Sequence, residues 1–247
     1  MGSSGKRPKR RSGRVAGKAA DKEIEVKLRL KDRAGMLRRL AKLRAEVLVD
    51  RVHEMNTLYD TAEGALAAQG QLVRIRVERR AGSAAASGKK LGTKAMQADM
   101  GKGRALLTFK GPPEPGLGDA AADGSGYKVR EEQESQVEDP VKMAKVFAAM
   151  GLVPWFRYEK FRSTYRLPGI DGAKVELDET PIGDFLEIEG QPKAIDRAAK
   201  QLGFRRSDYI TKSYGALFME QQGVRGTSGS EPRPLDHLPD MVFKPAR

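Results

Sequence analysis

The run Glu23-Ile24-Glu25-Val26-Lys27-Leu28-Arg29-Leu30 decides how this chain is read. Its charged residues fall on one face and its aliphatic residues on the other, and a period of two over eight positions is the pattern of a half-buried strand. The polar face is unusual because it carries two acids and then two bases, with no Ser, Thr or Gln among them. The same habit returns in Val73-Arg74-Ile75-Arg76-Val77-Glu78, Thr108-Phe109-Lys110, Lys128-Val129-Arg130-Glu131-Glu132 and Lys160-Phe161-Arg162. It closes with Glu176-Leu177-Asp178 and Glu187-Ile188-Glu189. If these faces point at one another, the chain builds a closed sheet lined with acids and bases, its apolar side turned outward beneath helices.

Composition narrows the chemistry. The 247 residues contain no cysteine and only two histidines, His53 and His237. Disulfides, thiolate metal sites, zinc catalysis and a Ser/His/Asp triad are therefore poor readings. No apolar run reaches membrane-spanning length, which predicts a soluble, cytoplasmic protein with no membrane contact. The net charge of +13 is unevenly placed. Residues 1–20 hold seven Lys/Arg and no acid, and residues 79–104 hold seven against Asp99 alone, so the rest of the chain is neutral.

Outward from the first strand, Leu37, Leu40 and Leu43 recur at helical spacing, predicting a helix over about 33–46. Strands follow over 47–59, 72–79 and 105–110, then 127–137, 157–167, 173–179 and 185–190. Pro140 opens a helix over 141–150 whose apolar stripe is Met143, Val146, Phe147 and Met150. Two more helices are expected over 193–202 and 208–219. The predicted class is α+β, with eight strands and about five helices in one domain over residues 21–220. Residues 1–20 read as a disordered basic tail, 80–104 as a flexible basic insertion and 221–247 as a loose C-terminal tail. Tail and insertion are expected to act, if at all, as electrostatic arms making weak contact with nucleic acid or polyphosphate.

A solvated sheet also carries charges, so the arrangement has to separate the two cases. Glu-x-Glu pairs stand at the first and last strands, with Arg-x-Arg and Lys-x-Arg pairs between. Alternate residues on one face lie about 7 Å apart, close enough for two carboxylates to share a divalent ion. Oxygen-only ligands suit Mg2+ or Mn2+, and converging guanidinium groups suit phosphate oxygens.

Glu23-x-Glu25-x-Lys27 resembles the opening signature of the CYTH superfamily, the triphosphate tunnel metalloenzymes. Tyr59-Asp60-Thr61 with Leu72-Val73-Arg74-Ile75-Arg76, Leu107-Thr108-Phe109-Lys110-Gly111-Pro112 and Arg130-Glu131-Glu132 are similar to its next blocks. The later blocks are matched by Glu159 to Tyr165, Val175 to Asp178, Gly183 to Gly190 and Ser213-Tyr214-Gly215-Ala216-Leu217-Phe218. The resemblance implies an eight-stranded antiparallel β-barrel forming a tunnel for a triphosphate. It implies Glu23, Glu25, Asp178, Glu187 and Glu189 as metal ligands or their water-mediated partners, and Lys27, Arg74, Arg76, Lys110, Arg130, Lys160 and Arg162 as phosphate contacts. Glu23, Glu25 and Lys27 form the implied catalytic group, Glu132 and Glu176 keep neighbouring bases oriented, and Lys212 reaches toward the tunnel mouth. The implied activity is metal-dependent triphosphate hydrolysis. Class IV adenylyl cyclisation of ATP, or non-catalytic binding of polyphosphate or RNA, would use the same bases.

Overall fold

The structure is a computed structural model describing residues 22–80, 103–114, 126–223 and 240–243. The basic tail and nearly all of the basic insertion lie outside the described residues. Eight strands run in chain order as β1 (Lys22–Leu30), β2 (Glu46–Thr61), β3 (Leu72–Arg80), β4 (Arg104–Pro113), β5 (Lys128–Val137), β6 (Leu152–Arg166), β7 (Ala173–Thr180) and β8 (Gly183–Gly190). All neighbours are antiparallel, and the sheet closes on itself in the order β1-β5-β4-β3-β2-β6-β7-β8. Closure removes the exposed edges of an open sheet.

Alternation decides which way each side chain faces. In β1, Val26 and Leu28 are fully buried on the outer surface, in a cluster with Val175 and Leu177 of β7 and Leu186 and Ile188 of β8. Two helices cover that cluster: α1 (Arg33–Lys42) supplies Met36 and Leu40, and α4 (Pro192–Gln201) supplies Ala194, Ile195, Ala198 and Ala199. The principal hydrophobic core therefore lies outside the barrel, and the charged faces are left to line its lumen. Between these helices come the short α2 (Ala65–Ala68) and α3 (Pro140–Ala149); α5 (Tyr214–Gln221) follows α4. Among the described residues no helix is long and apolar enough to cross a membrane.

Several element ends differ from the sequence-based expectation. Helix α1 stops at Lys42 because Arg44 turns left-handed (φ 54°), and Ala45 N donates back to Leu40 O. Of the stripe expected in α3, Phe147 is buried, whereas Val146 and Met150 are 50% and 69% exposed. Strand β6 begins at Leu152, ahead of Pro154, and Pro154 pairs with Tyr59 next to a register shift, where its missing N–H costs no regular ladder bond. A single helix over 208–219 does not form. Ile210 spends its N–H and C=O on Lys27 of β1, so a 3₁₀ turn (Arg206–Asp208) precedes it and α5 starts afresh, capped by Ser213 Oγ accepting from Ala216 N. The expected loose tail is corrected at residues 240–243, where Met241 is 1% exposed and bridges to Tyr158.

Candidate functional site

Inside the barrel, strand register sets which charges meet. Glu25 of β1 lies opposite Lys128 of β5 on one side and Glu189 of β8 on the other. Lys27 lies opposite Glu187, and its Nζ reaches Glu187 Oε1 at 2.5 Å while sitting 4.4 Å over the Tyr214 ring. Gly190 ends β8 at φ 150°, and a Cβ there would come within 2.0 Å of Gly172 O. That close approach of backbones fixes the end of β8 on which Glu189 stands.

The lumen holds a cavity of about 380 Å³ whose lining includes ten Lys/Arg and seven Glu, an excess that suits an anionic ligand. Eleven of the sequence-predicted site residues border it: Glu23, Glu25, Lys27, Arg74, Arg76, Lys110, Arg130, Lys160, Arg162, Glu187 and Glu189. Asp178 does not. It stands on the inner face of β7 but is fully buried beneath its partners, accepting from both Arg162 Nε and Nη2 (2.7 and 2.6 Å), Lys160 Nζ (3.0 Å) and the Tyr214 hydroxyl (2.7 Å). Lys212 pairs with Glu220 and is not part of the lining.

The cations are held in different ways. Arg162 is clamped by Asp178, Glu176 and Glu187, and Arg76 lies 2.5 Å from Glu134, 3.4 Å from Glu54 and 3.5 Å from Glu78. Lys110 pairs with Glu23 and, at 3.3 Å, with Glu132. Arg130 donates from Nε to Gly111 O (2.7 Å) and from Nη2 to Gly70 O (2.5 Å), so backbone carbonyls orient it. Arg74 differs from all of these. It is buried, its Nη groups donate to the Tyr158 (3.0 Å) and Thr108 (3.1 Å) hydroxyls, its Nε has no hydrogen-bond partner, and no carboxylate among the described residues reaches it. Beside it in the register the lining turns apolar, with Leu58 opposite both Arg74 and Phe156, and Leu72 two residues before Arg74.

Sequence reading passes over Glu54 and Tyr158. Glu54 is 1% exposed on the inner face of β2, and Lys160, Arg162 and Arg76 surround it. Burial alone would raise its carboxyl, but those three cations outweigh burial and hold it far below the usual carboxylate range. The alternation Glu54-x-Asn56 is the available signal, obscured by Arg51 and His53, whose polar side chains stand on the outer face of the same strand.

The acidic side has the opposite character. Glu25 and Glu189 oppose each other across β1 and β8, an arrangement that disfavours itself without a cation. Burial and then the neighbouring Glu25 push Glu23 up to about 7, and burial raises Glu189. Glu25 itself is lowered to about 2: burial opposes this, and Lys128 overcomes it. These all-oxygen donors suit a hard divalent cation. Here they turn toward lysines instead, Glu23 to Lys110, Glu25 to Lys128 and Glu189 to Lys174, and no three carboxylates gather at ligand distance among the described residues.

A closed antiparallel barrel with its hydrophobic core outside and a lumen of opposed acids and bases is a tunnel protein of the CYTH class. The chain belongs to the CYTH family: the CYTH domain model matches residues 21–214. Solved structures share the fold. A candidate adenylate cyclase from Vibrio parahaemolyticus superposes with a TM-score of 0.59 at 18% identity, over 79% of this chain and 97% of that one. The PH1819 protein of Pyrococcus horikoshii gives 0.58 at 21%, over 81% and 99%. A Hippeastrum protein named as an adenylyl cyclase and described as having dominant triphosphatase activity gives 0.51 at 19%, over 81% and 96%. None of the curated protein sequences matches the chain.

Proposed function

We propose that the protein is a divalent-metal-dependent triphosphatase that binds its substrate's phosphates within the barrel. The observation that carries this reading is Arg74, a buried guanidinium with no carboxylate at ion-pair distance among the described residues, in a lumen whose lining has more cations than acids. A buried cation left this way gains most from an anionic ligand, and a fork of N–H donors matches phosphate oxygens. Arg76, Lys110, Arg130, Lys160 and Arg162 extend the same surface, and Lys27, fixed by Glu187, adds charge where the β1 acids begin.

Glu23, Glu25, Glu187 and Glu189 are the side chains that would hold Mg2+ or Mn2+, with Asp178 contributing through the bases it orients. When bound, such an ion neutralises phosphate oxygens and activates water for attack on phosphorus. The protein's own part is to align the triphosphate, exclude bulk water and exchange lysine partners for the ion. Anion binding alone gains nothing from opposed glutamates, which would repel the ligand.

Cyclisation of ATP by its ribose 3′-hydroxyl is the second reading. The apolar side chains Leu58, Leu72 and Phe156 beside Arg74 favour it, because they offer a surface to an organic group. Incubation with tripolyphosphate, ATP and thiamine triphosphate, each with Mg2+ or Mn2+, separates the readings by product. Orthophosphate release is expected; cyclic AMP with pyrophosphate would establish the cyclase, and no turnover of any of the three would overturn both.

A further inference from the structure

Strand β6 is fifteen residues long and pairs with β2 along its length, whereas β7 pairs only with its stretch from Phe161 to Tyr165. The second edge of β6 before Phe161 thus has no partner among the eight strands. The chain fills part of this notch with the segment Asp240–Phe243. Met241 N donates to Arg157 O and Glu159 N donates to Met241 O, both at 3.0 Å, making a parallel bridge opposite Tyr158. The Met241 side chain is 1% exposed, in a cluster with Tyr158, Ile182, Phe185, Tyr214 and Phe218. Phe243 packs against Phe161 with ring centroids 5.2 Å apart, and Asp240 lies 4.0 Å from Arg157.

Tyr158 itself lines the lumen, and its hydroxyl is, among the described residues, one of two groups that hydrogen-bond Arg74. Every other arginine of the phosphate surface is fixed by carboxylates or backbone carbonyls, so Arg74 depends most on its neighbours' position. We infer that Met241 is a positioning residue: the C-terminal segment 240–243 acts as a ninth strand of the tunnel wall, seats Tyr158, and through it aims Arg74 at the phosphates. This rests on the triphosphate reading and adds to it a control point in the tunnel wall, away from the phosphates. Undocking the segment leaves Arg157 O and Glu159 N without partners and exposes one side of Tyr158, freeing Arg74 without touching the ligand.

The test is tripolyphosphate affinity, by calorimetry on the full chain, for Met241→Asp, Met241→Leu and Tyr158→Phe, with circular dichroism to confirm the fold. Met241→Asp is expected to weaken binding about tenfold, the scale of one hydrogen bond to a charged group. Met241→Leu, which keeps the apolar volume, is expected to match wild type. Tyr158→Phe should weaken binding similarly and add little when combined with Met241→Asp, because both act through one contact. If Met241→Asp does not fold, Met241→Ala decides on the same scale. Wild-type affinity in a folded Met241→Asp or Met241→Ala protein, or losses that add fully to those of Tyr158→Phe, would overturn the inference. A wild-type protein that binds no tripolyphosphate would overturn the triphosphate reading and this inference together.

Discussion

Arg74 and Arg76 read alike in sequence, alternate residues on one strand face, and the structure separates them. Arg76 sits among Glu134, Glu54 and Glu78, so Arg76→Ala takes away a cation that three carboxylates share and is expected to lower the melting temperature. Among the described residues Arg74 hydrogen-bonds only hydroxyls, so Arg74→Ala should cost the free protein less than Arg76→Ala. Its effect should fall on ligand binding, at about 1.5–3 kcal/mol for a charge-assisted contact. Glu54 gives a third outcome. Glu54→Gln removes the carboxylate facing Lys160, Arg162 and Arg76 and is expected to cost about 3–5 kcal/mol in the ligand-free protein. Because its folded-state pKa is depressed, that contribution is complete above the unfolded-chain value of about 4.3 and fades as pH falls below it. Melting curves of wild type and Glu54→Gln should therefore differ at pH 7 and converge in acid; a gap that persists or widens in acid would show that the carboxylate is not ion-paired.

At the scale of the strand, alternation made the lumen legible. Once Glu23-x-Glu25-x-Lys27 is placed on a strand, period two fixes which residues face in, and the charged runs of β3, β5, β6 and β8 follow. Charge pattern could not show which inward residues are covered by others. Asp178 alternates like its neighbours, yet three partners from β6 and α5 occupy it. Helix ends were less legible because tertiary contacts set them: Ile210 pairs with Lys27 where propensity favoured a helix, and Val146 and Met150 repeat at helical spacing without being covered. Gly190 offers a test of how tightly strand ends place the acids. Gly190→Ala forces a Cβ against the Gly172 carbonyl at a positive φ, a strain of about 1–3 kcal/mol. It should lower both melting temperature and metal-dependent turnover, and a neutral result would show that the β7–β8 end yields freely.

Across the whole molecule, charge divides into a neutral barrel domain and two basic stretches, residues 1–20 and most of 79–104. Removing residues 1–20 and 81–102 is expected to leave tripolyphosphate turnover nearly unchanged while abolishing any weak, salt-sensitive nucleic-acid binding. Loss of turnover in the folded deletion would place the insertion over the site. In the proposed function, the opposed acids and bases of the lumen grip a triphosphate together with a divalent ion. The most direct measurement is the melting temperature with tripolyphosphate, with and without Mg2+ or Mn2+, for wild type, Glu25→Gln and Arg74→Ala. A ligand that binds only the folded state raises stability with its concentration. Wild type should be stabilised by tripolyphosphate and further by the metal, Glu25→Gln should lose the metal increment alone, and Arg74→Ala should lose most of the response to tripolyphosphate. Equal stabilisation of all three proteins, or none in wild type, would show that the lumen does not bind triphosphate and metal together.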